Sequence, residues 1–346
     1  MSNRSLLLFL FFLAPLTLYA QIGGDGTYQF LNLTHSARVA ALGSKTIAIN
    51  DDDLDVAFLN PSLLNLSTSN HASVSYVSFF DGINFGESSY GFQAFGKSAA
   101  VSLQYIDYGK FIESQDNGTI TGSFTAADYV VQFSMAHQFD SLFSIGATVK
   151  PVYSVYEHYT SFGLASDLAA SYTSRDRLFC ASLLFRNMGT QIKTYTGSSY
   201  ESLPFEIMVG VSQKLRYAPF RFSLTAHQLQ KPKLTYTNPD DVKIDPLSNK
   251  EITTSKSSQF ADNVFRHLIV GVEFLPLKSF VVRVGYNHQR RKELAIADAE
   301  GMSGFSWGFG LKLRKFSLSY GRSFYIPSQA SNHFSLMINF MEFGKN

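Results

Sequence analysis

A single cysteine, Cys180, in 346 residues excludes an intramolecular disulfide framework. Charge is scarce too, at 16% of residues against roughly 25% in an ordinary soluble domain. The formal net charge of +2 has no basic block or Lys/Arg stripe behind it, which argues against a nucleic-acid partner. The eight histidines form no i, i+3 or i+4 pair and no His-Glu zinc spacing, so neither a metal nor a cofactor is expected. No Gly-x-Ser-x-Gly elbow occurs, and Gly301-Met302-Ser303-Gly304 falls one residue short of it. A hydrolase whose Ser or Asp met His only in space would leave no local motif, but nothing here argues for an enzyme. Beyond the N-terminus there is no apolar run long enough for a membrane helix.

Aromatic residues, in contrast, reach 15%. Something apolar must be covered, and not by helices. Arg4, the greasy run from Leu6 to Leu13 and Leu18-Tyr19-Ala20 make a secretory signal over residues 1–20, with the mature chain starting near Gln21. No cysteine follows, which excludes lipid attachment there. Residues 21–70 read as a glycine-rich lead-in followed by a small helical hatch. Gly23-Gly24-Asp25-Gly26-Thr27 lacks the lysine and the helix of a phosphate cradle. Ser36 caps a short helix over Ala37 to Leu42, stopped by Gly43. Asp53 caps a second, with Leu54, Ala57 and Phe58 at i, i+3 and i+4, ended by Asn60-Pro61.

From His71 onward, residues 71–346, the period changes to two. Phe305, Trp307, Phe309, Leu311 and Leu313 alternate with Ser306, Gly308, Gly310, Lys312 and Arg314. About fourteen such segments lie near 71–81, 84–96, 97–108, 124–138, 142–157, 160–174, 177–188, 203–216, 219–230, 264–275, 279–290, 303–313, 315–321 and 333–343. Several meet the roughly 9 to 11 residues that cross a bilayer at a tilt. Tight turns such as Gly96-Lys97 and Asp140-Ser141 alternate with long connections, Gly109 to Ser123, Gly189 to Ser202, Lys231 to Asn263, Arg291 to Met302 and Arg322 to Asn332. Short turns at one end and mostly long loops at the other, with Asp81 to Asn84 and the connection around His158 as short exceptions, favour a transmembrane antiparallel β-barrel with the hatch as its plug over a soluble all-β fold. In hydrocarbon every amide needs an internal partner, which a closed sheet supplies. Tyr76, Phe79, Phe80, Tyr105, Tyr108, Tyr153 and Tyr156 are expected in interfacial girdles.

Asp51, Asp53 and Asp55 mimic the first positions of a calcium loop, but Val56 and Ser62 stand where glycine and glutamate are needed. Capping and a salt bridge from Asp51, Asp52 or Asp53 to Arg38 or to a basic wall residue is the better reading. The connection from Lys231 to Asn263 is too long for a turn, and Lys231, Lys233, Tyr236, Asp240, Asp241 and Lys243 are candidate partner contacts on it.

Ser36-Ala37-Arg38-x-x-Ala41-Leu42-Gly43, the Asp51-Asp52 pair and Asn60-Pro61-Ser62-Leu63 resemble the N-terminal signature of the PorV/PorQ family, a relative of FadL-type channels. The preceding Gly23-Gly24-x-Gly26-Thr27-Tyr28-x-Phe30-Leu31-Asn32-Leu33 is closest to the PorQ branch. Ser44 departs from the pattern, where a second glycine is common, as does Ser62 in place of alanine. The resemblance implies a non-enzymatic barrel of the cell outer membrane, loops at the cell surface, in the type IX secretion system. It would hold the surface protein PorZ in an attachment complex with PorU and PorV. The alternative is a FadL-like channel for a hydrophobic ligand, which predicts a greasy pocket beside Phe58, Leu63 and Leu64.

Overall fold

The computed structural model describes residues 26–80, 82–197, 200–235, 256–294, 301–326 and 329–343. The period-two segments satisfy their amides by closing on one another. The strands are β1 (His71–Ser78), β2 (Asn84–Ala94), β3 (Lys97–Ser114), β4 (Ile120–Gln138), β5 (Phe143–Tyr156), β6 (Tyr159–Thr173) and β7 (Phe179–Lys193). They continue as β8 (Glu206–Lys214), β9 (Phe220–Ala226), β10 (Leu268–Phe274), β11 (Phe280–Asn287), β12 (Phe305–Lys312), β13 (Phe316–Ile326) and β14 (Gln329–Asn339). Each pairs antiparallel with its neighbours in sequence, and β1 meets β14 from His71↔Asn339 to Ser78↔Asn332, so the fourteen strands form one closed barrel. Among the described residues no helix is long and apolar enough to cross a membrane.

Along each strand the large apolar residues face outward and small or polar ones inward. Trp307, Phe309 and Leu311 are exposed on β12 while Ser306 is buried. Outward Tyr105, Tyr129 and Tyr153 stack across β3, β4 and β5 at 5.0 and 6.4 Å, as an aromatic belt should. Tyr108 and Tyr156 correct the girdle expectation: both turn inward, their hydroxyls donating to Asp128 at 2.7 and 2.8 Å.

Two of the expected long loops are largely strand. β3 and β4 run 18 and 19 residues and project as a ribbon whose tip, Lys110 to Ser123, is exposed on both faces. β13 and β14 likewise continue to Ile326 and from Gln329. A ribbon wetted on both faces has no apolar side, so it carries no period-two signal. Between β9 and β10 the polar stretch contains a helix, α3 (Lys256–Arg266), and α4 (His288–Glu293) follows β11 directly.

The N-terminal segment fills the lumen. It contains α1 (Ala37–Ala41), α2 (Leu54–Leu59) and a short 3-10 turn over Pro61–Leu63. Ser36 and Asp53 cap the two helices, accepting from Val39 N and Asp55 N. Inward glycines make its seat. A Cβ on Gly321 would lie 2.2 Å from the Ala37 carbonyl oxygen, one on Gly285 2.3 Å from Gly43 N, and one on Gly146 2.3 Å from the Pro61 carbonyl carbon.

Candidate functional site

The local sequence builds the inner half of the site. Gly43 ends α1 at φ 95°, and Ser44 repeats the left-handed turn at φ 83°, which is why glycine suits that position. Ser44 is held by Arg290, whose Nη2 donates to its Oγ at 2.9 Å. This double turn leaves Leu42 fully buried against the wall at Gly271 and brings the aspartates back toward Arg38.

Arg38 is the hub. Its Nε and Nη2 donate to Glu273 of β10 at 2.9 and 3.0 Å, and Nη1 and Nη2 donate to Asp51 at 3.1 and 2.8 Å. Nη1 also donates to Asp53 at 3.0 Å. Glu273 accepts in turn from Arg221 of β9 at 2.8 Å and Arg283 of β11 at 3.0 Å. Three guanidiniums therefore face three carboxylates, a balanced buried network that ties the plug to three adjacent strands. Burial alone pushes the Asp51 carboxyl up, but Arg38 and Arg221 overcome it and hold it at about 2. Burial likewise opposes the Arg38 charge, and the carboxylates of Asp51, Glu273 and Asp53 override it, so Arg38 stays protonated. Asp52 pairs with Lys312 of β12.

Asn60 pins the far side. Its Nδ2 donates to the Ile47 carbonyl at 2.7 Å and to Ser171 Oγ of β6 at 3.3 Å. Its Oδ1 accepts from Ser62 N at 3.1 Å and Ser62 Oγ at 2.6 Å, so the amide is saturated. Pro61 opens the 3-10 turn that rests on Gly146.

The aspartates are thus committed to guanidiniums, caps and the wall, and among the described residues no cluster suits a metal ion. Lys231 and Lys233 are exposed at the start of their connection. Tyr236, Asp240, Asp241 and Lys243 lie outside the described residues, as do residues 1–20, where a signal is expected. The wall partners Glu273, Arg221 and Arg283 were not legible beforehand. Their only trace is a charged side chain at an inward position of an otherwise small-residue face.

The hatch packs closely on the wall at the seating glycines. One cavity of about 30 Å³, room for about two waters, is lined by Leu31, Val39 and Phe58 but also by His35, Glu87 and Arg186. His35 Nδ1 lies 3.6 Å from Glu87 yet the ring is neutral, because burial, with the Arg186 guanidinium nearby, pushes it down to about 3. His35 Nε2, Glu87 Oε1 and Arg186 Nε have no protein partner, so the cavity suits water better than an apolar ligand. Phe58, Leu63 and Leu64 are packed in a core with Leu54 and Ala57. A serine does meet a histidine, Ser331 Oγ to His333 Nε2 at 2.8 Å, but both are fully buried and His333 Nδ1 has no orienting partner. That pair lacks the access and the third group a nucleophile needs.

This closed fourteen-strand barrel with its N-terminal plug has the same fold as the solved FadL-type barrels. Its fold is similar to that of the toluene transporter TodX of Pseudomonas putida, at 11% identity over 88% of this chain and 97% of that one, TM-score 0.53. The CymD monoaromatic hydrocarbon channel aligns at 12% identity over 88% and 97%, TM-score 0.53. A FadL homologue of Pseudomonas aeruginosa aligns at 9% identity over 88% and 98%, TM-score 0.50. The first two of these neighbours are a transporter and a channel by name. No protein-family profile and no curated protein sequence matches the chain.

Proposed function

We propose that this chain is a non-catalytic outer-membrane barrel that anchors a surface partner. The occupied lumen carries this reading: three guanidiniums and three carboxylates lock the hatch, and the cavity beside Phe58 is about 30 Å³. A bore so occupied leaves the barrel its rim and loops to work with, including the exposed β3–β4 ribbon with Phe111, Ile112 and Ile120 at its tip. The N-terminal resemblance supports the finer assignment, a PorQ of the type IX secretion system holding PorZ beside PorU and PorV, its long-loop end outward in outer-membrane lipid. The attachment chemistry then belongs to the partners.

A second reading, a FadL-like channel for a hydrophobic ligand, is favoured by the structural neighbours, which carry names such as toluene transporter and monoaromatic hydrocarbon channel. It requires the hatch to rearrange, since the cavity beside Phe58 is small and charged. Co-purification from native outer membranes separates the two. PorZ, PorU and PorV recovered with the barrel support the anchor; no partner, together with uptake of a hydrophobic compound lost on gene deletion, supports the channel. Replacing residues 236–255 with a short linker then tests the candidate loop. Undiminished PorZ at the cell surface would remove Tyr236, Asp240, Asp241 and Lys243 from the account.

A further inference from the structure

The barrel wall is uneven, and its lowest part carries a helix with an uncovered apolar face. β9 and β10 are seven residues each and β11 and β12 eight, against 18 and 19 for β3 and β4. At about 3.3 Å per residue and a tilt of about 40°, a seven-residue strand covers roughly 18 Å, less than the roughly 25 Å apolar band of an outer-membrane barrel. α3 ends one residue before β10 begins, at the rim of this low wall.

On α3 Phe260, Ala261, Val264 and Phe265 fall within an arc of about 140° at 100° per residue, while Asp262, Asn263 and Arg266 occupy the rest. The polar side is tied down. Asp262 accepts from Arg266 Nε at 2.8 Å, lies 3.3 Å from His288 Nε2 and 3.9 Å from Lys292 Nζ. The apolar side is open, with Phe260 71%, Val264 40% and Phe265 55% exposed. Its Phe265 edge borders the outer surface of the barrel. Phe265 stands 5.9 Å from the His288 ring, and His288 Nδ1 is 3.1 Å from the hydroxyl of Tyr286. Tyr286 shares the outward face of β11 with Val284, which is half exposed. Through Phe265 the open face of α3 therefore adjoins the lipid-facing wall.

We infer that α3 lies in the bilayer interface, its Phe260–Val264–Phe265 face immersed at the headgroup–acyl boundary, with Lys292 of α4 against lipid phosphate. The occupant is a lipid of the leaflet at the long-loop end whose phosphate headgroup is net anionic. An amphipathic helix with cations along its polar side has this chemistry. It would complete the apolar belt where the strands fall short, whether the barrel anchors or conducts.

Depth-dependent quenching in vesicles with brominated acyl chains tests this on the full-length protein. Trp307, the single tryptophan, faces outward on β12 and is the positive control in the parent chain. Phe260→Trp in a Trp307→Phe background should be quenched as strongly as Trp307 and emit to the blue of Ile112→Trp, the negative control on the β3–β4 ribbon. Quenching no greater than that of Ile112→Trp would overturn the proposal, and so assign the face to a protein partner or to water. Val264→Trp gives the same reading if Phe260→Trp does not fold. Quenching should rise when phosphatidylglycerol replaces phosphatidylcholine, and Lys292→Ala should lose the rise. Equal quenching in both lipids would overturn the contact with a net-anionic headgroup.

Discussion

Replacing Arg38 with alanine removes five hydrogen bonds at once, two to Glu273, two to Asp51 and one to Asp53. Breaking a buried ion pair by deleting one partner costs roughly 3–5 kcal/mol, because the remaining charge stays desolvated. Here Glu273 keeps Arg221 and Arg283, and Asp51 keeps Arg221, so the lower end, about 3 kcal/mol, applies. At 1.4 kcal/mol per tenfold, hatch opening then becomes on the order of 100-fold more frequent. The barrel ladder is untouched, so the loss is local to the plug. Native-state amide exchange reads it directly: Ala40 N, bonded to Ser36 O at 2.9 Å, and Ser44 N, bonded to Val39 O at 2.8 Å, should exchange about 100-fold faster. Amides of β5 and β6 should keep their parent rates. Arg38→Lys should fall between, since a point charge cannot serve three carboxylates in a fixed fork. Unchanged exchange at Ala40 and Ser44, or equal loss in hatch and strands, would refute the lock.

Hatch docking should also depend on pH in two opposite windows. Burial and the charge of Asp53 push Asp55 up to about 6, so the docked hatch binds that proton more tightly than the free one, and protection rises as pH falls through 6 toward 4. Asp51, held at about 2, adds stability that is present above the ordinary carboxylate value and lost as pH falls from there toward 2. A protection maximum in mild acid is expected, and Asp55→Asn should abolish its neutral-side flank; a flat profile contradicts both assignments. Gly321→Val forces a side chain into the Ala37 carbonyl, so limited proteolysis should cut within residues 26–70 while the strands resist. Asn60→Ala leaves the Ile47 carbonyl and Ser62 amide without their buried partner, which should lower hatch stability by about 1–3 kcal/mol in the same exchange assay.

Strands were legible where one face meets lipid and the other the lumen, because that contrast writes a period of two into the chain. β12 shows it in Phe305–Lys312, and the expected segment 303–313 encloses it. Where the contrast vanishes the signal vanishes with it. The β3–β4 tip has water on both sides and reads as loop, yet pairs Phe111 with Phe124 and Ile112 with Ser123. α3 hid for a related reason, being short, polar on average and flanked by serine and threonine.

The hatch divides in the same way. Local rules placed the caps at Ser36 and Asp53, the turn at Gly43 and the break at Asn60-Pro61, since each is decided within a few residues. Local rules also brought Arg38 toward the aspartates, for all of them lie in one short segment. Glu273, 235 positions from Arg38, enters the site only because barrel closure and the seating glycines bring β10 to α1. By itself the sequence determined the strands, their alternation and the hatch's own turns, because those follow from near neighbours and from the solvent on each face. Only the tertiary structure decided which wall residues lock the plug, how little cavity is left and where the wall runs low, because each depends on which strands closure makes adjacent.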